Sequence, residues 1–181
     1  KALGFEGPAA NSLDAVSDRD FALEYLALAA IMATHLSRMA EEIVIWASAS
    51  FGFVPLPDSF SSGSSMLPQK RNPDVLELVR GATATLQAAL IEIMNIPAKL
   101  SSGYQRDLQR IKPPLFRAID LTMDSCEIME HLIAGVSFDV DNIELDESIY
   151  AAGRANRLVL EEGISFRDAY RHISKDLDSD E

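Results

Sequence analysis

Residues 63–74 of this 181-residue chain read Gly-Ser-Ser-Met-Leu-Pro-Gln-Lys-Arg-Asn-Pro-Asp and are its most informative stretch. A flexible lead-in rich in serine and glycine delivers two hydroxyls, and Lys70 follows six residues after Ser64. The Asn-Pro-Asp sequence that closes the stretch is typical of a helix start. Hydroxyl, ammonium and carboxamide groups that converge at a helix N-terminus are suited to hold a dicarboxylate and to move its protons.

On the N-terminal side of this stretch, the pattern predicts one long helix. Asn11, or residues 17–18, can cap it, and it extends to about Ser48. Residues 21–33 carry only Glu24 as a charged residue, so the helix is apolar nearly all round. Such a helix belongs in the middle of a large bundle, and a chain of this length could hardly bury it alone. We therefore expect the chain to oligomerise.

On the C-terminal side, two further long helices are predicted. Asn72 as N-cap and Pro73 as the first helical residue start a helix that ends near Asn95. A second polar loop follows at residues 99–109, and another helix occupies about residues 113–134.

The last part of the chain has a different pattern. After an irregular segment, a helix from about Asp146 stops at Gly163. Ser165 and Asp168 form a capping-box start for a short final helix, and residues 175–181 are polar, acidic and expected to be disordered. We predict an all-α fold: a long-helix bundle over residues 1–135 and a small helical C-terminal module over residues 136–181.

Composition and charge limit the classes of partner. The net charge of −12 argues against nucleic acid as a ligand, whereas residues 61–117 alone carry +4 and the rest −16. A cationic island in an acidic chain indicates an anion-binding site, although ordinary surface variation explains it equally well. The longest apolar run, residues 25–33, is too short to cross a membrane. The single cysteine, Cys126, fits a reducing compartment, and we expect a cytoplasmic protein without a metal site.

The quoted stretch resembles the signature of the fumarase/aspartase superfamily, G-S-S-x-M-P-x-K-x-N-P. Gln69 after the proline is similar to argininosuccinate lyases in particular, whose usual form is G-S-S-x-M-P-Q-K-K-N-P-D. Leu67 stands where methionine is usual, and Arg71 replaces the second lysine. Lys-Arg-Asn is also common in adenylosuccinate lyases, so this position is shared between the two subfamilies.

Two further segments strengthen the resemblance. Residues 11–21 are similar to a stretch typical of argininosuccinate lyases, and residues 104–112 resemble Y-N-x-D-L-Q-E-D-K. The departures from this second pattern are Gln105, Arg110, Ile111 and, just after it, Pro113. The resemblance extends to about Arg171 and corresponds only to the second half of such an enzyme. The chain begins with Lys1, so we expect a preceding part to be missing.

The resemblance implies a reversible β-elimination of argininosuccinate to arginine and fumarate, without a cofactor, in a homotetramer. It implies that Ser64 transfers the Cβ proton and that Lys70 stabilises the succinyl carboxylate. Glu77 matches the acid that orients a catalytic histidine from another subunit. The matched substrate-binding positions are Ser65, Asn72, Tyr104, Gln109 and Lys112.

No histidine of this chain stands in the family's catalytic context. His35 lies in the apolar helix and is expected in a core or an interface, and His131 and His172 are expected at the surface. The resemblance therefore implies that the chain is inactive alone, since in this family three subunits share each site. Two alternatives stay open: a sister enzyme, adenylosuccinate lyase first, and a non-catalytic helical scaffold like the eye-lens crystallins of the same ancestry.

Overall fold

The structure is a computed structural model and describes residues 2–68 and 70–179. The chain divides into two compact units, Lys1–Asp139 and Val140–Glu181. The domain boundary expected after residue 135 thus lies four residues before the division between the units. Gln69, which carries part of the resemblance, lies outside the described residues.

The first unit begins with two helices instead of the single long one that the sequence predicts. Helix α1 spans Ser12–Ser17 and helix α2 spans Asp20–Trp46. Asn11 caps α1 as expected, because its Oδ1 accepts the backbone N–H groups of residues 13 and 14. Asp18 Oδ1 then accepts the N–H of Asp20 at 2.8 Å. Asn11 is therefore the N-cap of α1, whereas the cap position of α2 is Arg19, without a side-chain cap, and Asp18 accepts an N–H from one residue further out.

The other two long helices match their predicted positions closely. Helix α3 spans Asp74–Asn95 and helix α4 spans Lys112–Gly135. Between them the chain forms two 3-10 turns, Pro97–Lys99 and Arg106–Ile111, in the segment expected to be a polar loop. Proline-containing segments lie just after the end of α3 and at the start of α4, since proline has no N–H for the helix interior.

Helices α2, α3 and α4 pack as a bundle in which neighbouring chain directions alternate. One hydrophobic cluster joins Leu26 of α2 to Ile93 near the end of α3 and to Ala118 near the start of α4. A second cluster joins Ile43, late in α2, to Leu76, early in α3, together with Met129 and Leu132 late in α4. Helix α3 is thus antiparallel to both neighbours, and the two clusters fill the two ends of the bundle.

A short hairpin precedes α3 and corrects one expectation. Strand β1, Ser62–Gly63, pairs antiparallel with strand β2, Arg71–Asn72. The prediction that Asn72 is the N-cap is wrong, because this residue is held in β2 and Pro73 occupies the cap position without a side-chain cap. The carbonyl of Pro73 instead accepts the N–H of Glu77 at 3.1 Å. Asp74 is in the first turn, as expected.

The second unit contains two helices, α5 at Ala151–Glu162 and α6 at Phe166–Ser179. Gly163 ends α5 with φ of 68°, a left-handed conformation that glycine adopts without strain. Ser165 caps the start of α6 as predicted, since its Oγ accepts the N–H of Asp168; the Asp168 carboxylate accepts the Ser165 hydroxyl, where a full capping box would use the Ser165 N–H. Helix α6 runs through Ser179, so it includes most of the tail that was expected to be disordered.

The all-α long-helix fold is confirmed, because the paired strands of the described residues are only two residues long each. Among residues 2–68 and 70–179, no helix is long and apolar enough to cross a membrane. The described part of the chain likewise contains no group of three or more His, Cys, Asp or Glu side chains that could hold a metal ion.

Candidate active site

The hairpin brings the key residues of the signature stretch to one place. Ser62 lies opposite Asn72 and Gly63 lies opposite Arg71, so the pairing closes the segment into a loop. Ser64 directly follows β1 and Lys70 directly precedes β2, so both residues lie next to the paired strands, which we call the neck of the loop. We call residues 62–72 the signature hairpin. The backbone thus places a hydroxyl, an ammonium and a carboxamide at one neck, directly before the N-terminus of α3.

The hydroxyl of Ser64 is fixed by the backbone that follows it. Its Oγ accepts the N–H groups of Met66 and Leu67, each at 3.2 Å, and the residue is half-buried. Ser65 and Lys70 are exposed. Among residues 2–68 and 70–179, the Ser64 oxygen therefore accepts two backbone hydrogen bonds.

An ion pair ties the neck to the preceding turn. Arg71 Nη2 lies 3.1 Å from Asp58 Oδ1, and both side chains are more than half exposed. A pair this exposed contributes little stability, roughly 0–1 kcal/mol. Nearby, the hydroxyl of Ser61 is buried without a hydrogen-bond partner among the described residues. A buried hydroxyl of this kind is costly to leave unpaired.

Glu77 lies on the exposed side of the next turn of α3, close to Arg80. Arg80 forms an ion pair with Glu41 of α2, a contact between the two helices. The hydrogen bond to Glu41 raises the pKa of Arg80 above its ordinary value, and the nearby charge of Glu77 adds to this rise. Sequence reasoning identified Glu77 but missed Glu41 and Arg80, since their pairing depends on how α2 and α3 pack.

The second group of predicted binding residues lies in the loop before α4. Gln109 Nε2 donates to the hydroxyl of Tyr104 at 2.6 Å, and Lys112 begins α4; all three side chains are exposed. Gly103 precedes them with φ of 88° and is itself buried. A side chain at Gly103 would be strained in this left-handed conformation, so glycine fixes the course of the loop.

The two groups of residues lie at opposite ends of the bundle. Helix α3 has 22 residues and is therefore about 33 Å long. The signature hairpin precedes its first residue, whereas Lys112 lies near its other end, where Arg117 of α4 approaches Glu92 to 3.9 Å. One copy of the chain therefore does not bring Ser64 and Lys112 into a common site.

The histidines are placed largely as expected. His131 and His172 are exposed. His35 is also exposed and lies beside Arg38 and Met39 in a groove of about 620 Å³ between the end regions of α2 and α4. It is thus not a core residue of the single chain.

The sequence of this chain is similar to those of known lyases. Residues 1–87 match the model of a lyase family. The chain is 43% identical over 175 residues to an argininosuccinate lyase of Syntrophotalea carbinolica, and 46% identical over 178 residues to one of Desulfatibacillum aliphaticivorans. The resemblance inferred from the three motifs is confirmed. Each match covers 96% of this chain but only 38% of the relative, so the chain spans little more than a third of their length.

Solved structures agree with the fold. The crystal structure of an EDDS lyase in complex with formate superimposes with a TM-score of 0.78 and 26% identity, over 95% of this chain and 35% of that protein. A fumarate lyase:delta crystallin from Brucella melitensis gives a TM-score of 0.73 at 19% identity, over 96% of this chain and 40% of that protein. The second likeness shows the fold alone. The long-helix bundle is thus the fold of these lyases.

Proposed function

We propose that this chain is part of an argininosuccinate lyase, a carbon–nitrogen lyase that reversibly eliminates fumarate from argininosuccinate and leaves arginine, in arginine biosynthesis. The observation that carries the proposal is the pairing of Ser62 with Asn72, which closes the signature hairpin and gathers Ser64, Lys70 and Asn72 at one neck. The curated relatives support the choice of substrate, since they are argininosuccinate lyases.

The chemistry requires stabilisation of negative charge. Removal of a proton from the carbon beside a carboxylate leaves a carbanion whose charge spreads onto that carboxylate. The ammonium of Lys70 and the carboxamide of Asn72 stand at the neck, where they can hold this doubly charged group. Preorganised donors of this kind supply the largest part of many enzymes' rate enhancement. The nitrogen–carbon bond then breaks as the leaving guanidino nitrogen gains a proton. These steps require no cofactor.

Ser64 is assigned the transfer of the Cβ proton. The hydrogen bonds from Met66 and Leu67 favour the oxyanion form of its hydroxyl, because donors aimed at an oxygen stabilise its charged state. The cation of Lys70 acts in the same direction. General acid–base catalysis of this kind contributes roughly 10²–10⁴-fold. Ser65, on the same loop, is assigned to substrate binding.

The complete site requires several copies. Tyr104, Gln109 and Lys112 are assigned to substrate binding, but they lie at the opposite end of α3 from Ser64. Glu77 is assigned to orient a histidine supplied by another copy. We infer a homotetramer, in which the signature hairpin of one copy meets, in another copy, the loop before α4 that carries Tyr104 and Gln109, here called the Tyr104 loop. A cytoplasmic location accompanies this proposal, as for a chain with a single, half-buried cysteine.

The surface of α2 supports this assembly. Phe21, Leu28 and Ile31 are each about 60% exposed, and their spacing of seven and three residues places them on one face. Large exposed apolar patches mark interaction sites. We expect the chain alone to be inactive, because in this proposal it supplies only some of the residues that each site requires.

A non-catalytic scaffold is the second candidate, because the long-helix bundle is shared with the fumarate lyase:delta crystallin of Brucella melitensis. That likeness concerns the fold only. Retention of Ser64, Lys70 and Asn72 at one neck favours an enzyme. A sister lyase acting on adenylosuccinate is the third candidate, and the Tyr104 segment, which resembles argininosuccinate lyases, disfavours it.

Turnover by the full-length parent protein tests the proposal. We expect fumarate release from argininosuccinate, followed by ultraviolet absorbance, and none from adenylosuccinate. Ser64→Ala should lower kcat about 100-fold or more, because the proton-transfer group is lost. Ser59→Ala, a matched change at an exposed serine in the preceding turn, should leave kcat unchanged. Full turnover by Ser64→Ala would refute the role of this serine, and absence of turnover on either substrate would favour the scaffold.

A further inference from the structure

Arg80 links α2 to α3 at the end of the bundle that carries the signature hairpin. Its guanidinium donates to Glu41 Oε2, and the two side chains are 38% and 45% exposed. Partly shielded, charge-assisted pairs of this type are shorter and stronger than neutral hydrogen bonds. The conformation of Arg80 is therefore set by a second helix.

Glu77 lies three residues before Arg80, so the two side chains are neighbours on the surface of α3. The groups that raise the pKa of Arg80 are Glu41, first through its hydrogen bond, and Glu77 through its charge. Arg80 is thus a cation that is paired with Glu41 of α2 and lies one helical turn from the carboxylate of Glu77 on α3. The planar guanidinium has donors on more than one edge, so a bond to Glu41 leaves other N–H groups to attract Glu77.

We propose that Arg80, anchored by Glu41, is a positioning residue. It holds the Glu77 carboxylate in the orientation in which Glu77 can orient a histidine of another copy. This inference rests on the proposed function, in which Glu77 orients a histidine. Neither Glu41 nor Arg80 contacts the substrate in this proposal. Their effect passes through Glu77, as outer hydrogen-bond partners do when they fix the orientation of a functional side chain.

A double-mutant cycle in the full-length parent enzyme tests the inference. We expect Arg80→Gln to lower kcat about tenfold, the low end for loss of an orienting partner, with KM changed less than about twofold. In a Glu77→Gln background the same change should cost no further activity, because Arg80 acts through Glu77. A merely structural role would lower kcat equally in both backgrounds, and that result would overturn the inference.

The remaining outcomes are also decisive. If Arg80→Gln alone has no effect on kcat, the inference fails while the proposed function stands. If Glu77→Gln alone has no effect, the role of Glu77 fails and the inference fails with it. Arg80→Lys should retain more activity than Arg80→Gln, since lysine keeps the positive charge. It should retain less than the unchanged enzyme, since lysine lacks the planar guanidinium that donates on more than one edge.

A matched control separates this effect from the loss of any ion pair between helices. Arg154 and Asp176 join α5 to α6 at 3.6 Å, and Arg154→Gln should leave kcat unchanged. If Arg80→Gln fails to fold, as judged by thermal unfolding, Glu41→Gln takes its place in the cycle. That variant should lower kcat with Glu77 present, by less than Arg80→Gln does, and not at all in its absence; equal losses in both backgrounds would contradict the inference.

Discussion

The hydrogen bonds of Ser64 come from the backbone and cannot be predicted from its residue type. The sequence identifies the serine through the residues that follow it, but the two N–H groups on its oxygen arise from the turn at Met66 and Leu67. Asn72 shows the opposite case. Its type and position predict a helix cap, and the pairing with Ser62 overrides this preference. The capping preference of asparagine is not realised here because the backbone of Asn72 is already paired in strand β2.

A second short-range contact gives a prediction about pH. Asp146 Oδ1 accepts the N–H of Ser148 at 2.7 Å, and the hydrogen bond from the Ser148 side chain is the main cause that lowers the pKa of Asp146 below its ordinary value of 3.8. Stabilisation of this turn is therefore present above about pH 4 and is lost as the pH falls through the lowered pKa.

Carboxyl chemical shifts measured by NMR during a pH titration test this. We expect the pKa of Asp146 to lie below 3.8 in the intact chain. Ser148→Ala should bring it part of the way back, because the backbone N–H still donates. A titration at or above the ordinary value would contradict the contact.

At the scale of the elements, the sequence predicts where the helices lie along the chain. It does not predict which side chains form contacts between them. The ends of α3 and α4 follow from prolines and from polar loops, which act within a few residues. The break between α1 and α2 is not predicted, because the signals at Asn11 and at residues 17–18 are alternative starts for one helix in the sequence pattern. The ion pairs of Arg71 with Asp58 and of Arg80 with Glu41 require the tertiary packing and leave no periodic signal in the chain.

Packing of α3 gives a prediction at this scale. Leu86 is fully buried in the cluster with Leu26 and Ile93, whereas Leu78 on the same helix is 75% exposed. Leu86→Ala should lower the free energy of unfolding of the first unit by about 2–5 kcal/mol, through lost burial and a cavity. Leu78→Ala should change it by less than about 0.5 kcal/mol. Urea unfolding followed by circular dichroism gives both values, and equal losses would show that α3 packs with a different face.

At the scale of the whole molecule, the separation along α3 is the central finding. About 33 Å of helix lies between the signature hairpin and the Tyr104 loop. The separation follows from the sequence, because the predicted helix that ends near Asn95 lies between the two motifs. The motifs do not predict that α3 packs antiparallel to both α2 and α4, because they carry no information on which helices become neighbours. Under the proposed function, a site divided among several copies would account for this separation and for the exposed apolar face of α2 at Leu28 and Ile31.

Subunit complementation in the full-length parent tests the divided site most directly. Ser64→Ala and Lys112→Ala should each be inactive alone. When the two are co-assembled, some sites receive Ser64 from one copy and Lys112 from another, so activity should return. Ser64→Ala mixed with Lys70→Met, both changed in the same hairpin, should remain inactive. If the first mixture stays as inactive as the second, although mixed oligomers form, a site divided between the two ends of α3 is contradicted.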